Sequence, residues 1–81
     1  MTSLRLHILT PEKTLVDASV SAVSLPGTQA PFEVLPGHAP LISSLERGEI
    51  RYVEGGEPRS VSIVSGFVEI AADQVEVCAE V

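Results

Sequence analysis

Apolar residues recur at every second position in this chain, and each run is cut short by Gly, Pro or Asp within a few residues. Leu4, Leu6 and Ile8 are separated by Arg5 and His7. Ile50 and Tyr52 alternate with Glu49 and Arg51, Val61 and Ile63 with Ser60 and Ser62, and Val75 and Val77 with Glu76 and Cys78. A period of two puts alternate side chains on opposite faces of an extended strand, one face for a core and one for solvent. Leu15-Val16, Val20 to Leu25, Phe32 to Leu35 and Leu41 to Leu45 read as further extended segments. Turns are expected at Thr10-Pro11-Glu12-Lys13, Pro26-Gly27, Pro36 to Pro40, Glu46-Arg47-Gly48, Gly55-Gly56 and Ala72-Asp73. After Gly66, Val68 and Ile70 claim one face, which turns Phe67 and Glu69 outward. No segment has a 3.6-residue period. The pattern predicts one all-β domain over residues 1–81, a flattened β-sandwich or barrel of short, mainly antiparallel strands, without repeat or linker.

Such a domain needs a core, and the composition says of what. There is no Trp, one Tyr and two Phe, so Val, Leu and Ile must fill it. A chain of 81 residues buries only roughly 60–65% of its unfolded surface. Its stability is modest, and a bound partner adds to it by mass action.

Eleven acids against five bases give a formal charge of −6. This balance works against nucleic acid and against direct contact with anionic lipid, both of which need clustered Lys and Arg. It suits a partner with a basic surface. The start, MTSLRLHIL, lacks the apolar core of a signal peptide, and no segment approaches a membrane span. Cys78 has no second cysteine to pair with, as expected in a reducing compartment. The chain reads as cytosolic and compatible with the periphery of a membrane complex.

Catalytic and metal chemistry find little support. A metal site needs three or four convergent ligands, whereas His7, His38 and Cys78 are far apart in sequence. His7 shares its strand face with Arg5 and reads as a solvated strand residue; Cys78, between Glu76 and Glu80, reads as a partly exposed thiol. Ser43, Ser44, Ser62 and Ser65 lie outside any G-x-S-x-G elbow. Glu46 and Glu49 flank a glycine turn, where carboxylates are solvated. PGTQAPFE has one glycine, too few for a phosphate cradle.

The docking reading is stronger. In VLPGHAPLISSL, Pro36 and Pro40 fix their own φ angles and push Leu35 and Ala39 towards extended backbone. Gly37 supplies a conformation other residues resist. His38 is thereby carried on a stiff turn, either as a preorganised contact or as a plain corner between two sheets. A second Pro-bracketed loop, Pro26 to Pro31, precedes it.

In order, LHILTPEKTLVD, VSLPGTQAPFEVLPGHAPLISSLERGEIRY and VSGFVEIAADQVEVCAE resemble the epsilon subunit family of F-type ATP synthases over essentially the whole chain. The resemblance implies the family's N-terminal β-sandwich. It implies a non-catalytic central-stalk subunit that needs no cofactor or metal and couples proton-driven rotation to ATP synthesis. Its implied partners are the gamma subunit and the polar loops of the c-ring, on the cytoplasmic side of a bacterial inner membrane, peripheral and without direct insertion. By motif position, Thr10, His38, Ala39, Pro40, Leu41 and Ser43 fall where the family meets gamma. Gly27, Thr28, Gln29, Ala30, Pro31, Phe32 and Glu33 fall where it meets the c-ring. The family commonly reads G-E-(apolar)-G before LPGHAPL; Ala30-Pro31-Phe32-Glu33 departs from this, with Glu33 restoring a charge. Family members also continue into a C-terminal helical hairpin. A chain ending at Val81 is expected to lack it, and so neither to bind ATP nor to inhibit hydrolysis through it. The alternative is a free-standing β-sandwich that binds a small ligand or peptide, which would call for an aromatic-lined pocket.

Overall fold

The computed structural model describes residues 3–81, so Met1 and Thr2 of the expected 1–81 domain lie outside the described residues. Nine strands follow one another: β1 (Leu4–Leu9), β2 (Thr14–Val20), β3 (Ala22–Leu25), β4 (Phe32–Val34), β5 (Leu41–Leu45), β6 (Gly48–Glu54), β7 (Glu57–Ile63), β8 (Ser65–Ala71) and β9 (Gln74–Glu80). They form a five-stranded sheet in the order β2-β1-β9-β8-β5 and a four-stranded sheet in the order β4-β3-β6-β7. The expected all-β sandwich is what the chain forms. All pairings are antiparallel except β1 with β9, where the first and last strands run parallel, Arg5 opposite Gln74 through Leu9 opposite Cys78.

The alternating residues close the sandwich. Leu4, Leu6 and Ile8 of β1, Val68 and Ile70 of β8, and Val75, Val77 and Ala79 of β9 are buried from one sheet. Val23, Leu25, Val34, Ile50, Tyr52 and Ile63 are buried from the other. Each fully buried aliphatic side chain is worth about 1.5–3 kcal/mol of apolar transfer. No charged side chain is fully buried among the described residues, so no charge-desolvation penalty is set against this gain.

Several expected boundaries shift: Gly48 opens β6 rather than closing a turn, and Leu15-Val16 runs on through Val20 as one strand. Val20 to Leu25 is two strands, because Ser21 carries the chain from one sheet to the other and donates its N–H to the Val53 carbonyl at 3.0 Å. Alternation is blind to such a crossing, since both strands are extended. Phe32 to Leu35 ends at Val34, because Leu35 opens the next turn, accepting the His38 N–H at 3.1 Å. Gly55 and Gly56 take φ of 60° and 81° in the two-residue β6–β7 hairpin, as type I′ geometry requires.

The pairings sort the connections into two ends. One end holds the Thr10–Lys13 turn, the loop from Pro26 to Pro31, and the crossings at Glu46-Arg47 and Val64. The other holds Ser21, residues 35–40, and the hairpins at Gly55-Gly56 and Ala72-Asp73.

Candidate functional site

The Leu35–His38 turn has the chemistry of type II, Pro36 at its second position and Gly37 at its third with φ of 88°. Its outer side is open: a Cβ on Gly37 would meet nothing within 4 Å. His38 is half-buried, and its Nδ1–H donates to the Ala39 carbonyl at 2.6 Å; among the described residues Nε2 has no hydrogen-bond partner. Ala39 and Pro40 are exposed, and Leu35 and Leu41 add exposed apolar surface beside them. His38, Ala39, Pro40 and Leu41 therefore form one contiguous stretch.

Thr10 is not part of it. Leu9 shares a row with Cys78, Phe67 and Ser44, whereas the His38 turn stands beyond Ala71. Five or six residues at about 3.3 Å each separate the two levels by roughly 15–20 Å. The Thr10 hydroxyl is also engaged locally, accepting the N–H of Lys13 at 3.1 Å and of Glu12 at 3.3 Å and donating to the Lys13 carbonyl at 3.2 Å. It pins its own turn. Ser43 lies between the two ends, half-buried, its Oγ donating to the Ser44 carbonyl at 3.0 Å.

The loop from Gly27 to Glu33 is stitched to β5. Thr28 donates its N–H to the Ser44 carbonyl at 3.1 Å, Glu46 donates its own to Pro26 at 2.9 Å, and the Thr28 and Ser44 hydroxyls meet at 2.7 Å. Gly27 is buried beneath this loop: a Cβ there would come within 2.6 Å of the Ala30 carbonyl and 2.9 Å of the Phe32 ring. Gly27 and Phe32 thus shape the loop, while Thr28, Gln29, Ala30, Pro31 and Glu33 are its exposed members. This loop stands at the Thr10 end of the sandwich.

The outer face of the five-stranded sheet carries a feature the motif positions do not mark. Leu9, Cys78 and Phe67 form an apolar row across β1, β9 and β8, with Phe67 56% exposed and Ile42 of β5 73% exposed. A groove of about 580 Å³ runs over this row between Pro11, Ser65 and Glu80. Phe67 is its sole aromatic wall, which does not make the aromatic-lined pocket a ligand-binding module calls for. The next row is polar: His7 sits opposite Asp17 and Glu76, and Glu76 opposite Glu69. His7 is therefore not simply solvated; its Nδ1 lies 2.8 Å from Glu76 Oε2 across the parallel pair. Alternation alone foretold the outward Phe67, but the groove needs the β1–β9 pairing, 69 residues apart. Among the described residues, no three His, Cys, Asp or Glu side chains are grouped to hold a metal, and no helix is long and apolar enough to cross a membrane.

Comparison with known proteins adds the ancestry of this arrangement. Residues 3–81 match the family model for the β-sandwich domain of the ATP synthase delta/epsilon chain. The ATP synthase epsilon chain of Solibacter usitatus is 43% identical over 79 residues, 98% of this chain and 59% of the relative. That of Syntrophobacter fumaroxidans is 42% identical over 76 residues, 94% of this chain and 57% of the relative. The chain thus spans under three-fifths of the length of these relatives. A chain in the mitochondrial ATP synthase of Euglena gracilis, in an OSCP/F1/c-ring assembly, superposes with a TM-score of 0.90 at 18% identity, covering 98% of this chain and 51% of that one; the likeness is one of fold. A two-sheet sandwich built from these strands, with whole-domain identity above 40% to two epsilon chains, belongs to the ATP synthase delta/epsilon chain family, as its β-sandwich domain.

Proposed function

We propose that this chain is a non-catalytic central-stalk subunit of a proton-translocating F-type ATP synthase, joining the gamma subunit to the c-ring so that ring rotation reaches the catalytic head. The observation that carries this reading is the correspondence over residues 3–81 with relatives named ATP synthase epsilon chain. Gamma is met by the stiff stretch His38 to Leu41, with Ser43 following on the same strand. The exposed tip Thr28 to Pro31, with Glu33, meets the polar loops of the c-ring, and Gly27 and Phe32 support that tip from beneath. Thr10, at the tip's end of the sandwich, reaches gamma only if gamma spans the length of the five-stranded sheet. The complex is peripheral to the membrane, on the cytoplasmic side in a bacterium, and this subunit carries neither metal nor cofactor.

Rigidity supports the assignment. A stretch in which Pro36 and Pro40 fix their own φ angles on either side of His38 loses less entropy on association, so its contacts convert into affinity with less loss. The test is titration of purified gamma with the wild-type chain and with His38→Glu. The substitution is expected to weaken binding by about 1–3 kcal/mol, the range of an interface hot spot. Unchanged affinity in a variant with native circular dichroism removes His38 from the interface. For the other contact, cysteine placed at Ala30 is expected to cross-link to a cysteine in the c-ring polar loop within an assembled complex. Absence of that product, with the loop cysteine reactive to a small maleimide, counts against the c-ring assignment.

A further inference from the structure

Gly37 and Asp73 belong to turns 36 residues apart, and one bond joins them: the Gly37 N–H donates to Asp73 Oδ1 at 2.7 Å. Asp73 is itself firmly held. It occupies the second position of the two-residue turn between β8 and β9, with φ of 62°, and its carbonyl accepts the Arg5 N–H from β1 at 2.9 Å. Gly is the residue favoured at that position of such a turn. Asp is also tolerated there, and it alone of the tolerated residues offers a carboxylate, which the bond to Gly37 engages.

The remaining bonds of the docking turn are internal to it. His38 N–H closes the turn on Leu35, and His38 Nδ1–H holds the ring against Ala39. These bonds fix the shape of residues 35–39 but not their attitude to the sandwich. Among the described residues, the Asp73 bond is the hydrogen bond that ties this turn to the five-stranded sheet. A carboxylate accepting a backbone N–H is roughly twice as strong as a neutral pair.

We propose that Asp73 is the positioning residue of the His38 docking turn, its carboxylate anchoring the Gly37 amide to the β8–β9 hairpin and thereby setting the direction in which His38 meets its partner. This rests on the gamma-docking reading above.

Two substitutions at one position test it. Asp73→Gly keeps the backbone at ease with positive φ and removes the carboxylate. Asp73→Asn keeps an acceptor oxygen and tolerates the same conformation. On the isolated full chain, Asp73→Gly is expected to speed Gly37 amide hydrogen exchange about tenfold while the amides of Val68 and Val77 exchange as in the wild type. Gamma binding is expected to weaken roughly three- to tenfold, the loss of one charge-assisted hydrogen bond's worth of order. Asp73→Asn is expected to restore both most of the way. Unchanged Gly37 exchange in Asp73→Gly, with His38→Glu still weakening gamma binding, overturns the anchor and leaves the docking reading intact. Lost Gly37 protection, with gamma binding indifferent to His38→Glu, overturns the docking reading and with it the role of Asp73 in binding. Equal loss of binding in the Gly and Asn variants also overturns the anchor, because the acceptor would then be irrelevant.

Discussion

At Ala72 and Gly66 the backbone makes opposite demands on a side chain. Ala72 adopts φ of 52°, a left-handed conformation in which its Cβ crowds the following carbonyl at about 1–2 kcal/mol. Asparagine tolerates that conformation, so Ala72→Asn is expected to raise stability by about 0.5–1 kcal/mol. The measurement is a urea midpoint shifted upward with an unchanged slope. Gly66 is constrained by its neighbour strand: an added Cβ would stand 2.5 Å from the Cys78 carbonyl and 3.0 Å from the Ala79 Cα. Both are backbone atoms of β9 and cannot step aside alone, so Gly66→Ala is expected to destabilise by about 1–3 kcal/mol in the same titration. Neither result was open to sequence reasoning in full. Ala72-Asp73 was legible as a turn, but the strain on Ala72 follows from the two-residue register of β8 on β9. The Ser65-Gly66-Phe67 stretch says nothing of Cys78 until β9 lies beside it. Likewise His38 was visible as a residue on a stiff turn, whereas Asp73 was legible only as part of a turn, and nothing local points to Gly37 as its partner.

β8 shows how one strand serves two purposes. Its inward residues Val68 and Ile70 are buried, and its outward Phe67 stands in the apolar row with Leu9 and Cys78. Ile70→Ala opens a cavity in the core and is expected to cost about 2–5 kcal/mol. Phe67→Ser removes a larger side chain yet touches only the outer face, so folding stability is expected to change by no more than about 0.5 kcal/mol. If that face meets a partner, as contiguous exposed apolar surface on a small acidic domain suggests, the same substitution weakens association while leaving the denaturation curve in place. A large fall in stability for Phe67→Ser would show that the outer row is part of the fold rather than available to a partner. The alternation made these faces readable because burial on one side of a strand imposes a period of two. It did not reveal which strands adjoin. The parallel union of β1 with β9, and the crossing at Ser21, depend on contacts between distant segments that share the same local pattern.

Over the whole molecule the charge is not evenly answered. Arg5 pairs with Asp17 at 2.8 Å, Arg51 with Glu49 at 3.2 Å, and Arg59 with Glu57 and Glu54 at 3.3 and 3.4 Å. These exposed pairs add little to stability but locally neutralise three of the five bases. Glu12, Glu33, Glu46 and Glu69 form no ion pair among the described residues, and all four are exposed. Glu69 stands on the outer face of the five-stranded sheet between Ile42 and Glu76, beside the apolar row. The molecule therefore presents a net negative field, at the same face that carries its exposed apolar surface. Such a field acts on encounter more than on the final complex: it steers a basic partner inward over a Debye length of about 10 Å at 0.1 M salt. On the proposed docking to gamma, the association rate is accordingly expected to fall roughly tenfold between about 0.05 and 0.5 M salt, with a much smaller change in dissociation. Glu69→Lys is expected to lower the low-salt association rate about two- to fivefold and to flatten its salt dependence, leaving the rate at high salt near that of the wild type. Stopped-flow association traces across a salt series measure both. A wild-type rate that does not respond to salt, or a Glu69→Lys variant as slow at high salt as at low, would mean that the acidic balance of this chain plays no part in how it finds its partner.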